Sequence, residues 1–397
     1  MQLSKRLLLA IFGLGLGSRL LLVATSIGTN DVPFMILWAK LIREHGIAGS
    51  YARMWELNHP PLAMLMFSAL DSLARVTGLE FTDLLRVAQV IAEGVTATCL
   101  LILLRRHKIE IPIAAYYLLC PAAIFISGFH CNTDATMVAF LMLGVLALSF
   151  GMPFLAGIAV ACSVGIKIIP LFLVPLFLMA ARRQWWRVAS GFAIGFSTIF
   201  VPVALLAGPP FLRNVFGYSG FSGKWGFPAL LLWSESLIAE PRTTLLYETA
   251  LLYAQQGKYL VVAAVVALLL LAWRRLNVDS DPILWLGRFI PLILLAVLIV
   301  APGYGVQYLI WPLSLLPLLL PPRTYAATIL AVSAYVFLTY TIWSEGFPWV
   351  YADSVAQTPG KPLLIPLGLV LWIFLAWAAW RGWRSHERSE SGSAVRP

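Results

Sequence analysis

Runs of apolar residues long enough to cross a bilayer recur along the whole chain, and this feature limits the possible folds more than any other. A transmembrane helix needs about 20 mostly apolar residues. The 397-residue sequence is 60% hydrophobic and only 12% charged, whereas soluble domains are about a quarter charged. These values exclude a soluble enzyme, a disordered chain and a disulfide-rich secreted module. We therefore predict one polytopic membrane domain built from α-helices.

Twelve segments are predicted to span the membrane, although several of them are short. They are 7–26, 83–104, 109–128, 134–150, 153–166, 168–182, 187–207, 258–273, 283–301, 306–321, 324–343 and 362–380. The segment 61–77 is also apolar. Counting it as a span would place the basic run at 105–108 outside the membrane, so we predict a re-entrant or interfacial helix there.

Basic residues set the predicted orientation of these spans. With the N-terminus inside, the inner segments carry 16 basic and five acidic side chains, and the rest of the chain carries 12 basic and 13 acidic ones. This distribution satisfies the positive-inside rule and places both termini inside. The net charge of +10 (28 − 18) is therefore assigned to the cytoplasmic face rather than to a nucleic-acid surface. Three long connections, 27–82, 208–257 and 344–361, then lie outside, which indicates that the protein works at its outer face.

Local motifs exclude several other kinds of site. The four cysteines are spaced irregularly and indicate neither a disulfide set nor a zinc site. The sequence contains no Walker A, GxGxxG, CxxC, HExxH or GxSxG pattern. Because no long inner segment could bind a nucleotide-sugar, a nucleotide-linked donor is disfavoured.

Asp31 opens the first outer connection, in the sequence TNDVP. Two compatible interpretations apply to it. As a helix N-cap, its carboxylate would accept backbone N–H groups; as a carboxylate at the mouth of a membrane cavity, it would serve as a general base. The residues after it are predicted to form an amphipathic interfacial helix that ends at Gly46. The apolar side of that helix would carry Phe34, Leu37, Trp38 and Leu41.

Two more polar clusters lie in predicted outer connections. His59 precedes two prolines, which indicates either a rigid loop before a helix or a side chain that binds a substrate hydroxyl or phosphate. His130, Asn132 and Asp134 occupy alternate positions of a short turn. Asn132 or Asp134 could simply cap the next helix, but a histidine, an amide and a carboxylate together also suit hydrogen bonding to a sugar or phosphate.

Candidate cations follow these clusters along the chain. Lys167 lies where an apolar run breaks, so it either snorkels to lipid headgroups or binds a phosphate. The connection 208–257 is rich in glycine and aromatic residues, which suits a loop around a sugar and a phosphate or an interfacial aromatic belt. Its candidate residues are Arg213, Lys224 and Trp225.

Four polar residues lie within predicted spans or at their ends. Gln307 and Tyr308 enter a late span from outside and could reach into a cavity. Arg19 and Glu93 lie inside two early spans. Because an unpaired charge in a membrane is costly, these two are predicted to pair with each other or with substrate.

The order of these features resembles the GT-C superfamily of membrane glycosyltransferases, which use polyprenyl-phosphate-linked sugars at the outer or lumenal face. The resemblance covers most of the chain. The set of features resembles dolichyl-phosphate-glucose and -mannose transferases and their bacterial relatives. It rests on Asp31 after the first span, a Pro-Pro-Leu run at 60–62, the polar cluster at 130–134, a Lys-x-x-Pro break at 167–170 and a Gln-Tyr-x-x-Trp run at 307–311. The second cluster lacks an Asp-x-Asp or Asp-x-Glu motif, so a divalent metal is not favoured.

The resemblance implies a particular organisation of the chain. The fold would be an all-α, polytopic transmembrane bundle of about 12 spans with amphipathic helices at its outer face. Residues 1–207 would form the catalytic transmembrane module and 208–257 an outer loop. Residues 258–380 would form C-terminal transmembrane helices, and 381–397 a basic cytoplasmic tail.

The resemblance also implies an activity. Asp31 would be the catalytic base that activates an acceptor hydroxyl for a single inverting displacement on the donor sugar, a hexose. The remaining candidates would bind substrate; they are His59, His130, Asn132, Asp134, Lys167, Arg213, Lys224, Trp225, Gln307 and Tyr308.

The expected partners and location follow from that activity. The partners would be a polyprenyl-phosphate sugar, a glycan, lipid or protein acceptor, and membrane lipids, with no nucleic acid and no cofactor. The site would face the periplasm from a bacterial inner membrane. A transporter or flippase of a lipid-linked sugar is the alternative from another class, and a polymerase or ligase of lipid-linked glycans would share the same outer-face site.

Overall fold

The computed structural model describes residues 4–109, 112–217, 224–238, 245–276, 281–342 and 361–393. These residues form α-helices joined by 3₁₀ turns and loops, with no β-strand among them, which confirms the predicted all-α class. They divide into two compact units, one up to residue 217 and one from residue 224 onward, and each is described by itself. The finer division into four segments stays a prediction.

The first unit contains eleven α-helices within its described residues. They are α1 (Lys5–Thr25), α2 (Val32–Arg53), α3 (Pro61–Thr77), α4 (Phe81–Arg106), α5 (Pro112–Leu118), α6 (Pro121–Gly128), α7 (Asp134–Ser149), α8 (Pro153–Ile166), α9 (Val174–Ala180), α10 (Trp185–Ala207) and α11 (Pro209–Phe216). Short 3₁₀ turns at Ile169–Leu173 and Arg182–Gln184 precede α9 and α10.

The second unit contains seven α-helices within the part of it that the structure describes. They are α12 (Gly226–Ile238), α13 (Leu245–Arg274), α14 (Pro282–Val300), α15 (Ile310–Leu313), α16 (Leu316–Leu319), α17 (Pro322–Ile342) and α18 (Lys361–Ser393). A 3₁₀ turn at Val306–Leu309 leads into α15. The predicted outer connection 344–361 lies outside the described residues, apart from its last position.

Seven helical segments among the described residues are long and apolar enough to cross a membrane. They are Arg6–Thr25, Phe81–Arg106, Arg182–Ala207, Leu245–Arg274, Pro282–Val300, Pro322–Ile342 and Leu363–Arg384. Each corresponds to one of the twelve predicted spans. The other five predicted spans contain only shorter helices, so a multi-pass membrane protein is supported, while the count of twelve and the orientation stay predictions.

Among the described residues, several predicted spans contain no helix long enough to cross a membrane, because a proline divides them or because their helix is short. Pro121 starts α6 three residues after α5 ends, and it divides the predicted span 109–128, because proline cannot continue a preceding helical turn. The predicted span 306–321 is likewise broken into the short helices α15 and α16, each of which contains a proline. The helices α7 and α8 are continuous but only 16 and 14 residues long. At 1.5 Å per residue they extend about 24 and 21 Å, less than the roughly 30 Å hydrocarbon core.

The predicted helix after Asp31 exists, but its path and buried face differ from the expectation. Helical structure continues beyond Gly46 to Arg53, with a kink at Gly46, whose φ of 68° and ψ of 170° leave the helical region. Trp38 is buried as part of a face that also includes Met35, Ala39 and Ile42, whereas Phe34 and Leu37 are exposed. The buried face is set by packing of α2 against α3, which forms the helix predicted at 61–77.

An antiparallel hairpin of α7 and α8 brings two distant polar positions together. The chain reverses at Gly151, whose φ is +71°, a conformation that favours glycine. The start of α7 therefore lies beside the end of α8, and Ser163 donates to the Met137 carbonyl across the hairpin at 2.8 Å. α8 also packs closely on α10, where Gly157 and Gly191 each face the opposite backbone so tightly that a Cβ would clash.

A buried ion pair joins α1, α4 and the α5–α6 break. The Arg19 guanidinium lies 3.2 Å from the Glu93 carboxylate, which confirms the first of the two predicted arrangements for this pair. The same guanidinium donates to Ser127 at 3.0 Å and to the Leu118 carbonyl at 2.9 Å, and Tyr117 donates to Glu93 at 3.2 Å. The Leu118 carbonyl at the break is therefore satisfied by a side chain, in an apolar setting where an unpaired group would be costly.

Candidate active site

Asp31 lies between α1 and α2 with its carboxylate free of the helix that follows. It occupies the N-cap position of α2, but its φ of −75° and ψ of −23° are helical and its side chain makes no capping hydrogen bond. A proline in the first turn of α2 removes one of the N–H groups that a cap would satisfy. The carboxylate is therefore available for other contacts, and the predicted N-cap interpretation is wrong for this side chain.

The contacts of Asp31 come from the turn between α6 and α7. His130 Nε2 lies 3.1 Å from Asp31 Oδ2, and Asn132 Nδ2 donates to the same oxygen at 2.6 Å. The other oxygen, Oδ1, has no hydrogen-bond partner in the described part of the chain, and the side chain is 24% exposed. One carboxylate oxygen is thus held by two side chains while the other can accept a proton.

The two loops that carry these residues are joined through backbone and hydroxyl groups. Thr29 donates its hydroxyl to the His130 carbonyl at 2.7 Å, and the Asp31 N–H points to the Thr29 hydroxyl at 3.3 Å. Cys131 has a φ of +63°, which is rare for a residue other than glycine, and it lies between the two side chains that contact Asp31. Such backbone conformations persist only where surrounding contacts enforce them.

The Asn132 amide is oriented by its own neighbour. Its oxygen accepts the Thr133 backbone N–H at 2.7 Å, which directs its nitrogen toward Asp31. Thr133 is the N-cap residue of α7 and makes no side-chain capping bond. The simple capping interpretation of Asn132 and Asp134 is therefore replaced by contacts to Asp31 and, as described next, to Lys167.

Lys167 and Asp134 meet at the open end of the α7–α8 hairpin. Asp134 is the first residue of α7, and Lys167 directly follows α8 in an extended conformation before the 3₁₀ turn at Ile169–Leu173. Lys167 Nζ donates to Asp134 Oδ1 at 2.8 Å, and both side chains are largely buried. The predicted break of the apolar run at Lys167 is confirmed, and its ammonium group is paired with a carboxylate rather than extended to headgroups.

Electrostatics favour the ionised form of Asp31. Burial raises the pKa of its carboxyl, but the contacts from His130 and Asn132 and the charge of Lys167 outweigh burial and hold the pKa below its usual range. Asp31 is therefore an anion at neutral pH, as a general base must be before it accepts a proton.

His59 lies between this polar cluster and a group of aromatic rings. Its ring centroid is 5.0 Å from that of Trp38 and 5.9 Å from that of Phe67, and the residue is only 6% exposed. Neither ring nitrogen has a hydrogen-bond partner in the described part of the chain. Burial, together with the nearby charge of Lys167, lowers the pKa of His59 to about 3, so the ring is neutral.

Arg213 lies on α11, and its contacts with other described residues do not reach the Asp31 cluster. It is exposed, and its Nε lies 3.4 Å from Asn214 Oδ1. Asn214 donates to the Tyr51 and Met54 carbonyls at 3.0 and 2.9 Å, which attaches α11 to the end of α2. A role for Arg213 in substrate binding stays a prediction.

The second unit holds the remaining predicted site residues. Trp225 is 1% exposed, its ring stacks on Tyr304 at 4.3 Å, and its indole donates to the Leu298 carbonyl at 2.7 Å. Its described contacts therefore pack the unit and satisfy the end of α14. Lys224 is exposed, Gln307 is buried against Gly305, and Tyr308 stacks on Trp311 at 4.3 Å. Their roles in substrate binding stay predictions.

Some residues at the site escaped sequence reasoning. The sequence places Trp38 on the apolar side of an interfacial helix and does not predict its contact with His59. Thr29 could have been noticed from its position two residues before Asp31, as a hydroxyl that supports a turn. Arg86, fully buried on α4, donates to the Ser26 carbonyl at 2.8 Å and so holds the end of α1.

The described residues contain no group of three or more His, Cys, Asp or Glu side chains arranged to hold a metal ion. The polar side chains at the site are instead suited to hydrogen bonding and charge neutralisation. The carboxylate of Asp31, with one free oxygen, can deprotonate a hydroxyl. The nearby Lys167 can stabilise an anion, and the neutral His59 can bind a neutral polar group.

The sequence was compared with models of known protein families. A model described as glycosyltransferase family 87 matches residues 58–302. The matched range includes His59, the turn at 130–134 and Lys167, while Asp31 lies before it. No curated protein matches the sequence.

Proposed function

Because the chain belongs to glycosyltransferase family 87, a family of polytopic membrane glycosyltransferases of the GT-C type, we propose that it transfers a hexose from a polyprenyl-phosphate-linked donor to an acceptor hydroxyl. We place the reaction at the outer, periplasmic face of a bacterial inner membrane. The observation that carries the proposal is the arrangement at Asp31, where His130 and Asn132 hold Oδ2 and leave Oδ1 without a partner in the described part of the chain.

In this mechanism Asp31 acts as the general base. The Oδ1 atom accepts the proton of the acceptor hydroxyl while the hydroxyl oxygen forms a bond to the anomeric carbon of the donor sugar. The bond from that carbon to the phosphate oxygen breaks in the same step, and the polyprenyl phosphate leaves with the electron pair. One displacement of this kind inverts the anomeric centre. General-base catalysis of this type contributes roughly 10²–10⁴-fold to the rate.

Lys167 is the proposed cation for the departing phosphate. Its salt bridge to Asp134 fixes the ammonium group at one place before the donor binds. A cation already in position stabilises the developing negative charge without the cost of moving at the moment of reaction. The charge of Lys167 also helps to lower the pKa of Asp31, which supports placing the base and the leaving group in one site.

The proposal is tested with the full chain reconstituted in vesicles. Polyprenyl-phosphate mannose and polyprenyl-phosphate glucose, each labelled in the sugar, serve as donors, and a water-soluble alkyl hexoside serves as acceptor. We expect a labelled glycoside and free polyprenyl phosphate in equal amounts, formed by an acceptor that reaches only the outer face.

Three results would overturn the proposal. Labelled donor that crosses the membrane without forming a glycoside would indicate a transporter or flippase. Transfer from a nucleotide-sugar instead of a lipid-linked sugar would reject the donor. A product with retained anomeric configuration would reject the single displacement.

A further inference from the structure

Three nitrogen atoms near the proposed reaction centre are buried and unpaired in the described part of the chain. They are both ring nitrogens of His59 and the indole nitrogen of Trp38. The two residues are 6% and 5% exposed, and their rings are neighbours at 5.0 Å. The large majority of buried side-chain polar atoms in proteins have a partner, so three unpaired nitrogens in two touching side chains call for an explanation.

The backbone holds His59 where it is. Tyr51 donates its hydroxyl to the His59 carbonyl at 2.5 Å. Pro60 caps the start of α3 and Pro61 is its first residue, and the two prolines restrict the backbone directly after His59. His59 therefore keeps its ring between Trp38 and the polar cluster in spite of the unpaired nitrogens.

The charged and polar neighbours of His59 in the described part of the chain make no hydrogen bond to its ring nitrogens. Asp31, Asp134 and Lys167 all influence His59 electrostatically, which places it at the edge of the same cluster. Asn132 also lies beside it, but its oxygen accepts from Thr133, one of its two amide hydrogens is donated to Asp31, and no bond of hydrogen-bond geometry joins it to either ring nitrogen of His59. The described residues therefore leave both ring nitrogens of His59 open to a ligand.

The chemistry of the three nitrogens selects the kind of partner. A neutral imidazole offers one donor and one acceptor, and an indole offers one donor. A sugar hydroxyl both donates and accepts, so it can satisfy such a pair of rings. A phosphate is an acceptor only and is better matched by a cation, and burial and the neighbouring Lys167 both disfavour a positive charge on His59.

We infer that His59 and Trp38 form a subsite that binds a hydroxyl of an uncharged sugar ring beside Asp31, and that the phosphate is bound elsewhere. This inference rests on the proposed function, because it places the sugar next to the proposed base. The sugar is either the one transferred or one in the acceptor. Binding at the unpaired nitrogens would compensate for their cost in the free protein, a common balance between stability and function.

The experiment compares wild-type protein with His59→Phe and Trp38→Phe on substrates that each lack one hydroxyl. One series carries the deletions in the donor sugar and the other in the acceptor. We expect wild-type kcat/KM to fall about 10- to 100-fold for one deoxy substrate, the effect of leaving a buried polar group without its partner. His59→Phe should show a similar loss on the complete substrate and no further loss on that deoxy substrate, since the two changes remove the same contact. The series in which this occurs identifies the sugar.

Two controls separate binding from folding. Trp38→Phe removes the indole N–H but keeps an aromatic ring, and the same lack of additivity is expected for it. His45→Phe replaces an exposed histidine on the same helix as Trp38 and should change nothing. The thermal midpoint of His59→Phe should equal or exceed that of wild type, because no internal partner is lost.

Clear results would overturn the inference. It fails if His59→Phe stays as sensitive as wild type to every hydroxyl deletion, or if His59→Lys retains full activity, as a phosphate site would allow. A marked drop in the midpoint of His59→Phe with unchanged deoxy selectivity would assign the ring to folding. If wild-type protein transfers none of the lipid-linked sugars, the proposed function itself has failed, which is a different outcome.

Discussion

Asp31 and His130 are 99 positions apart in the sequence, and their side chains meet at 3.1 Å. The contact joins the loop before α2 to the turn before α7, and Asn132 donates to the same carboxylate oxygen from the other side of Cys131. Because both donors act on Oδ2, the carboxylate is oriented as well as charged.

Asp31→Asn is expected to lower the transfer rate about 10²–10⁴-fold, because an amide cannot accept the proton of the acceptor hydroxyl. The variant keeps the size of the side chain, so its thermal midpoint and its affinity for the polyprenyl-phosphate donor should remain close to wild type. Glu44→Gln is the matched control, since Glu44 is exposed on α2 and its pair with Lys40 spans 3.9 Å. Full activity of Asp31→Asn would remove Asp31 from the mechanism.

Asn132→Asp should shift the pH dependence of transfer. Asn132 helps to keep the pKa of Asp31 low, and a second carboxylate in its place would raise that pKa by charge repulsion. The base works only when it is ionised, so the acid limb of the kcat/KM profile should move to higher pH. The apparent pKa values would then belong to the two coupled carboxyl groups together. Asn132→Ala should move it in the same direction by less. An acid limb that stays in place in both variants would contradict this role.

His59 should make the folded protein sensitive to acid. Its folded pKa is lowered from 6.5 to about 3, so below pH 6.5 the unfolded chain binds a proton that the folded chain does not. Stability therefore falls as the pH decreases from 6.5 toward 3, with a slope of at most about 1.4 kcal/mol per pH unit. Thermal midpoints measured in detergent at pH 7 and pH 5 should differ less for His59→Phe than for wild type. Equal differences would show that His59 is protonated in the folded state.

Lys167 requires a paired test, because removing it alone leaves the buried Asp134 uncompensated. Lys167→Met is expected to destabilise the protein by about 3–5 kcal/mol. The double variant Lys167→Met/Asp134→Asn should recover most of that loss, yet its affinity for the lipid-phosphate donor should stay roughly 10- to 100-fold weaker, as expected for the loss of a charge-assisted contact. Donor binding at wild-type strength in the double variant would assign the phosphate to another cation, such as Arg213.

Arg19 and Glu93 are expected to matter for stability rather than for transfer. Arg19→Met leaves the Glu93 carboxylate buried without its partner, which typically costs about 3–5 kcal/mol. Arg19→Lys should rescue little, because one ammonium group cannot reach Glu93, Ser127 and the Leu118 carbonyl together. Arg75→Met removes an exposed arginine from Asp71, which keeps its pair with Arg43, and should cost less than about 1 kcal/mol. Equal unfolding midpoints for Arg19→Met and Arg75→Met would contradict the bracing role of this ion pair.

Sequence reasoning was most successful where local composition decides the outcome. Apolar runs predicted helices, and seven of the twelve predicted spans coincide with helices long enough to cross a membrane. The break at Lys167, the helix at 61–77 and the Arg19–Glu93 pair also followed from the residues, because burying an unpaired charge or continuing a helix through proline is costly whatever the surroundings.

The sequence did not predict how many apolar runs would be divided or which of two roles each polar residue would take. Asp31 fits a helix cap as well as a base, and only its contacts with His130 and Asn132 show that its side chain does not cap α2. Likewise, the sequence shows only that His59 lies in a loop. The structure shows that its ring packs against Trp38 and that its nitrogens are unpaired among the described residues. Helix formation depends on neighbours along the chain, whereas hydrogen bonds between residues a hundred positions apart depend on how the helices pack, and that information is held by the tertiary structure.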